Sequence, residues 1–245
     1  MIDALRAEFR KILSVRSTYA ILVTILALPV SLMGFWVYGY KDIAHAAVQS
    51  NALQSALFNG INFTAIFLSF VAILLVGHEY RYNTILYTLT STKRRSKVFA
   101  AKWLAVVLFG LLVAVVAVGL NVLAFYIGQQ VHHVATTQQS IPIWDFAWRA
   151  GATTIVYISY GFIIAILLRS LVASMAVFLL LPSTIEGLLS LILKDNVRYL
   201  PFTSISNLTV EASKIAYTNS LLVGLAYVVG FGALAWYLFT RRDAN

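Results

Sequence analysis

The feature that most constrains this chain is a series of six apolar runs, each long enough to cross a lipid bilayer. A membrane-spanning helix needs about 20 mostly apolar residues, because hydrocarbon offers no partners for backbone polar groups left outside a helix or a closed barrel. Of the 245 residues, 60% are hydrophobic and only 11% are charged. We therefore predict an all-α integral membrane protein with a single transmembrane domain over residues 1–245. The predicted spans are residues 18–38, 61–77, 103–127, 150–168, 170–193 and 219–239.

The basic residues indicate how the chain is threaded through the membrane. Lys and Arg concentrate in the cytoplasmic segments next to span ends. Most of the 18 basic residues fall in the N-terminal segment, in residues 78–102 and near the C-terminal end, which an even number of spans places on one side. We predict a multi-pass protein of the cytoplasmic membrane with both termini in the cytoplasm. Topology and membrane lipid then account for the net charge of +9, so no nucleic-acid partner is predicted.

The N-terminal segment, residues 1–17, predicts an amphipathic interfacial helix. Leu5 and Phe9 recur at helical spacing on one face, while Arg6, Arg10 and Lys11 project from the other. Such a helix lies in the plane of the lipid headgroups. The alternatives are a plain cytoplasmic helix and the charged start of a signal peptide. The apolar run over residues 18–38 is longer than the ~7–15-residue core of a signal peptide, which favours a permanent first span.

Residues 78–102 form a polar, basic segment between the second and third predicted spans. Residues 80–89 predict a short cytoplasmic helix with more aromatic and apolar surface than a free loop carries. An aromatic surface rimmed by Arg is typical of a protein interface. The residues that give this part its character are Tyr80, Tyr82, Ile85, Leu86 and Leu89.

The second half of this segment places basic residues at a helix N-terminus, where positive charge is unfavourable. Lys93, Arg94 and Arg95 fall in the first turn of the third-span helix, where the helix dipole favours anions. We predict that lipid phosphates, Glu79 or an acidic surface on a partner compensates for these charges.

Two intramembrane features could line a substrate path. In the fifth span Glu186 follows Pro182 by one helical turn, and a carboxylate in hydrocarbon must be paired, protonated or hydrated. In the fourth span Thr153, Tyr157 and Tyr160 recur on one face as a polar stripe. The sequence leaves structural alternatives open for both features. Glu186 could instead lie near the outer surface and be hydrogen-bonded to a neighbouring helix, and the stripe could hold helices together.

The chain lacks the motifs of common catalytic sites. It contains no G-x-x-x-x-G-K-[ST] phosphate loop, so any ATP that drives it is hydrolysed by another polypeptide. It has no cysteine, and the adjacent His132 and His133 do not converge on one metal ion as residues at i and i+4 do. We predict no catalytic residue, no metal site and no cofactor bound by this chain.

Taken together, these segments resemble the permease subunits of type-2 ATP-binding-cassette (ABC) exporters. The resemblance covers essentially the whole chain: the basic amphipathic start LRAEFRKILSVRSTY at residues 5–19, six spans, and a longer outer connection between the fifth and sixth. Its most specific part is EYRYNT at residues 79–84, followed by TSTKRR at residues 90–95 and by Ala101 and Lys102. Relatives often have Gly where this chain has Asn83.

The resemblance implies a homodimer of permease subunits that docks two cytosolic ABC ATPase subunits, which would carry ATP and Mg²⁺. It implies export of a drug, an antimicrobial peptide or a lipid-like substrate. The N-terminal helix, with Leu5, Arg6, Phe9, Arg10 and Lys11, would contribute to the docking. The coupling residues implied are Glu79, Tyr80, Arg81, Tyr82, Thr84, Ile85, Leu86, Leu89, Arg94 and Arg95.

Two other classes of membrane protein are alternatives to an ABC permease. An ion-coupled secondary transporter would use Glu186 as its proton site. A membrane-embedded lipid-modifying enzyme would need clustered Asp, His or Glu, whereas the nine acidic residues of this chain are scattered along the sequence.

Overall fold

The computed structural model describes residues 2–39, 52–87, 95–132, 143–209 and 216–241, and the regular structure in these ranges is helical throughout. The protein is therefore all-α over the described residues, as predicted. The α-helices are α1 (Ile2–Ser14), α2 (Arg16–Gly39), α3 (Ala52–Arg81), α4 (Arg95–His132), α5 (Ile143–Leu168), α6 (Leu171–Leu180), α7 (Glu186–Leu193), α8 (Pro201–Ser206) and α9 (Tyr217–Arg241).

Within the described ranges, five helical stretches are long and apolar enough to cross a membrane. They are Phe58–Arg81, Arg95–Ala124, Trp144–Leu168, Leu171–Tyr199 and Tyr217–Arg241. These stretches make the chain a membrane-embedded protein. The predicted first span, residues 18–38, falls within the 24-residue helix α2 and is not one of these five stretches. The count of six spans therefore stays a prediction.

The centre of the bundle is the pair α3 and α5, whose apolar stretches are 72% and 67% buried. The two backbones approach closely at Gly161, where a Cβ would lie 2.7 Å from the Ser69 carbonyl oxygen. Glycine is needed there because any side chain would collide with the facing backbone. Phe162 and Ile158 fill the surrounding core.

The fifth span is irregular. A π-helix, Leu181–Ile185, joins α6 to α7 and holds Pro182 near its start. At Lys194 the backbone has a φ of 48°, and a 3₁₀-helix, Lys194–Tyr199, follows. The amide nitrogen of Phe202 lies 2.8 Å from Glu186 Oε1, whereas 16 residues of straight helix would span about 24 Å. The chain therefore doubles back, and α8 packs at the level where α7 begins.

The structure differs from the short helix predicted over residues 80–89. α3 continues through Tyr80 to Arg81, residues 82–84 form a turn, and residues 85–87 are helical again. Asn83 has a φ of 52° in this turn. After glycine, asparagine is among the residues that best tolerate this left-handed conformation, which explains why Asn is accommodated in this turn. The predicted residues 88 and 89 lie outside the described part of the chain.

Candidate functional site

Four charged side chains form a closed ring at the α3–α4 end of the bundle, where α3 ends and α4 begins. We call Glu8, Lys11, Glu79 and Lys102 the charge ring. Glu8 accepts hydrogen bonds from Lys11 and Lys102, each at 2.9 Å, through separate carboxylate oxygens. Glu79 Oε1 accepts from both ammonium groups at 2.6 Å. The ring joins α1, α3 and α4, because α1 supplies two of its members and each of the other helices supplies one.

The charge ring is neutral and largely buried. Lys102 is 0% exposed, and Glu8 and Glu79 are 3% and 5% exposed. Buried charges are tolerated when they are paired and hydrogen-bonded, and here each residue contacts both residues of opposite charge. Burial by itself lowers the pKa of Lys11, but the Glu79 and Glu8 carboxylates outweigh it and raise the pKa above its ordinary value. The ring therefore fixes α1 against two other helices.

The predicted interfacial helix is thus packed against the bundle on one side. Leu5 and Phe9 pack on the core, and Lys11 belongs to the charge ring. Arg6 and Arg10 are exposed on the opposite face. The sequence interpretation missed Glu8, although one signal was present: this carboxylate borders the apolar face of the predicted helix, one turn from Leu5 and Ile12.

A small apolar and aromatic surface follows the end of α3. Tyr82 is 63% exposed, Leu86 43% and Tyr87 77%, and we call these three residues the aromatic surface. The Arg81 guanidinium lies 5.6 Å from the Tyr82 ring centre. Ile85 is only 1% exposed and anchors the segment to the core. The aromatic surface is therefore attached to the bundle beside the charge ring.

The other predicted coupling residues have different surroundings. Tyr80 is half-buried beneath Arg169 of the α5–α6 turn, with the guanidinium 5.5 Å from the ring centre. Arg95 donates to the Thr240 carbonyl of α9 at 3.3 Å. Arg81 and Thr84 are exposed next to the aromatic surface. Leu89 and Arg94 lie outside the described residues.

Three of the possible substrate-path residues, Glu186, Tyr157 and Tyr160, contact the N-terminal end of α8. Glu186 is 3% exposed and accepts three hydrogen bonds, from the backbone amides of Phe202 and Thr203 at 2.8 Å and from the Thr203 hydroxyl at 2.6 Å. Its carboxylate thereby satisfies the first amides of α8. Glu186 is therefore hydrogen-bonded to a neighbouring helix, and its part in a substrate path stays a prediction.

The polar stripe on α5 meets the same element. The rings of Tyr157 and Tyr160 lie 5.9 and 5.2 Å from that of Phe202, and Tyr160 Oη donates to the carbonyls of Pro201 and Gly224. Thr153 is fully buried one helical turn from Tyr157. These contacts hold α8 and α9 against α5.

Arg149 is a buried residue that the sequence interpretation did not single out. Its guanidinium lies between the rings of Phe58 and Tyr217, 4.1 and 3.9 Å from their centres. It pairs with Asp145 at 3.0 Å and donates to the Leu208 carbonyl. The signal in the sequence was the acidic residue four positions before an Arg at the start of a span. The contacts tie α3, α5 and α9 together at the end opposite the charge ring.

Comparisons with known proteins add a family and one relative. The profile of a family described as "Protein of unknown function (DUF2705)" matches residues 30–244. The "Uncharacterized protein YcbO" of Bacillus subtilis (strain 168) is 28% identical over 171 residues, which cover 64% of this chain and 75% of that protein. The aromatic surface, Glu79 and Lys102 lie within the family match, and α1 precedes it.

Proposed function

This chain belongs to the DUF2705 family, and we propose that it is the membrane-spanning permease subunit of an ABC exporter. A separate cytosolic ATPase, present in two copies, would bind ATP and Mg²⁺ and drive outward movement of a drug, an antimicrobial peptide or a lipid-like substrate. The observation that carries the proposal is the exposed aromatic surface fixed beside the buried charge ring. Residues 82–87 and both termini would then lie in the cytoplasm of the cell.

The aromatic surface has the composition of a docking site. Tyr and Leu side chains that project into water are unfavourable when they cluster, and aromatic residues with a neighbouring Arg are enriched in protein interfaces. Ile85 is buried between Tyr82 and Leu86, so the surface is held in place before a partner arrives. A preformed surface loses less conformational entropy on binding than a flexible loop does.

The surroundings of this surface provide a route for mechanical coupling. A force on residues 82–87 acts directly on the end of α3, and the charge ring passes it to α4 and α1. The contact of Tyr80 with Arg169 extends it to the α5–α6 turn. Rigid-body closure of two ATPases could thus rearrange several spans together.

A second copy of the chain would complete the transport path. In the stretches Leu171–Tyr199 and Tyr217–Arg241 only 11% of the apolar part is buried within this chain, which leaves side chains of both stretches available to face lipid or another protein. Ser183, Thr184 and Gly187 are exposed at and next to the π-helix. Small residues on a span allow close packing of helices in membranes, which favours a second subunit at this face.

The experiment measures how far the chain stimulates ATP hydrolysis by an ABC ATPase encoded beside its gene, after both are purified and reconstituted together. We expect the variant Tyr82→Ala/Leu86→Ala to reduce the stimulation about tenfold or more, because truncation of central interface residues costs that much affinity. The unfolding temperature should stay within a degree of that of the unchanged chain, since both side chains are exposed.

A matched control removes an exposed aromatic residue and an exposed leucine elsewhere. Trp144→Ala/Leu123→Ala alters α5 and α4, away from residues 82–87 and from the proposed subunit contact, and should leave the stimulation intact. Equal stimulation by both double variants would contradict docking at the aromatic surface. Transport that continues without ATP and stops when the proton gradient is collapsed would favour a secondary transporter instead.

A further inference from the structure

We propose that the outward face of α1 is a binding surface for anionic phospholipid headgroups of the inner leaflet. This face consists of Arg6, Arg10 and Leu13, all of which are exposed. The inference concerns lipid alone and does not depend on the docking of an ATPase at the aromatic surface.

The charge ring sets which side of α1 turns outward. Glu8 and Lys11 point at α3 and α4, and Ile12 is only 2% exposed. Each residue of an α-helix advances about 100° around the axis, so Arg6 and Arg10 lie about 200° from Glu8, on the far side. The two guanidinium groups are therefore one helical turn apart on a face that the bundle does not cover.

This face is continuous with the surface of α2 that follows it. Tyr19 Oη donates to the Leu13 carbonyl at 2.6 Å, which ties the end of α1 to the start of α2. Tyr19 and Val23 are 51% and 66% exposed on α2, the helix that holds the predicted first span. Exposed apolar side chains on a span face acyl chains, and Tyr is enriched at the membrane–water interface. The outward face of α1 thus lies at headgroup level.

The contacts of the charge ring, on the opposite side of α1, place the helix at the same depth in the membrane. Lys102 directly precedes Trp103, where the predicted third span begins, and Glu79 follows the predicted second span by two residues. A helix held against these two residues lies at the boundary between hydrocarbon and water. Glu8 and Lys11 make this contact from the middle and the last turn of α1, so the helix is anchored near that boundary over several residues.

The chemistry of the face fits a phosphate group better than an acidic protein surface. Arginine presents its donors in a fork that matches phosphate oxygens, and two such residues one turn apart can share one headgroup. Leu13 supplies the apolar contact that interfacial helices insert between headgroups. Within α1 the one aromatic residue, Phe9, packs on the core and not beside the two arginines, in contrast to the exposed aromatic residues at 82–87.

The test titrates the full-length chain, purified in detergent, with phosphatidylglycerol or phosphatidylcholine and measures binding by native mass spectrometry. We expect clear preference for phosphatidylglycerol. The variant Arg6→Gln/Arg10→Gln should weaken phosphatidylglycerol binding about 25-fold, at roughly fivefold for each basic residue near an anionic surface, and leave phosphatidylcholine binding unchanged. The control Lys97→Gln/Arg241→Gln removes two exposed charges elsewhere and should change phosphatidylglycerol binding less than threefold.

Equal affinity for the two lipids would overturn the proposal, and so would an equal loss in the control variant, which would indicate only a general effect of charge. A further arm measures binding of the ATPase in detergent without added lipid. Loss of ATPase binding in Arg6→Gln/Arg10→Gln, together with an unchanged phosphatidylglycerol affinity, would assign the face to a protein partner and also overturn the proposal. If neither the unchanged chain nor any variant binds an ATPase, the proposed function is contradicted, and the lipid result is unaffected.

Discussion

At the scale of single residues, Asn83 occupies a backbone conformation that few side chains adopt without cost. Its φ of 52° lies in the left-handed region, which costs an ordinary residue roughly 1–2 kcal/mol and a β-branched residue at least as much. We expect Asn83→Gly to change the unfolding temperature little and Asn83→Val to lower it by several degrees. Thermal unfolding of the purified variants checks this. Equal unfolding temperatures for Gly and Val at this position would contradict it.

The sequence predicted the exposed residues of the site but not its buried ion pairs. Tyr82 and Leu86 were predicted to lie on an interface and are exposed, while Ile85 between them points into the core. Glu8 was missed because the amphipathic pattern treats a carboxylate as a solvent-facing residue. Its partner Lys102 is 94 residues away in the chain, and only the packing of α1 on α4 brings the two together. Local periodicity carries no information about such a pair.

At the scale of helices, the charge ring predicts strongly non-additive effects on stability. Lys102→Met leaves two buried carboxylates with Lys11 as the remaining ammonium group of the ring, and we expect a loss of about 3–5 kcal/mol. Adding Glu79→Gln restores neutrality, because Glu8 and Lys11 still form a pair at 2.9 Å. The double variant should therefore be more stable than Lys102→Met alone. Unfolding temperatures of Lys102→Met, Glu79→Gln and the double variant measure the coupling, and losses that simply add would contradict the ring.

Helix boundaries followed from the sequence only where local signals decided them. Five of the six predicted apolar runs fall in helical stretches long enough to cross a membrane, because each run is a continuous stretch of about 20 residues, and the first span stays a prediction. Residues 194–217 are predicted to form a polar outer connection, yet in its described part, residues 194–209, Glu186 and Arg149 bind α8 and the Leu208 carbonyl and hold the segment in the bundle. α3 extends to Arg81, beyond residue 77 where the second span is predicted to end, because residues 78–81 continue the helix without adding to the apolar run.

At the scale of the whole molecule, the distribution of buried surface predicts how two copies meet. α3 and α5 form the core of one subunit, whereas in the stretches that contain α6 to α7 and α9 only 11% of the apolar part is buried. The π-helix interrupts this exposed face, and a Cβ added at Gly187 would have no heavy atom within 4 Å. In a symmetric dimer the residues nearest the two-fold axis contact their own counterparts.

The chain contains no cysteine, so a single introduced cysteine can locate that axis without competing disulfides from native cysteines. We expect Ser183→Cys or Gly187→Cys to form a covalent dimer in membranes under mild oxidation, since a disulfide requires Cα atoms within about 7 Å of each other. Val115→Cys serves as the control, because Val115 is 72% exposed on α4 and lies away from this face. Dimer formation is measured by non-reducing electrophoresis. Cross-linking of Val115→Cys without cross-linking at residues 183 and 187 would move the subunit contact to α4, and with it the transport path between the two copies.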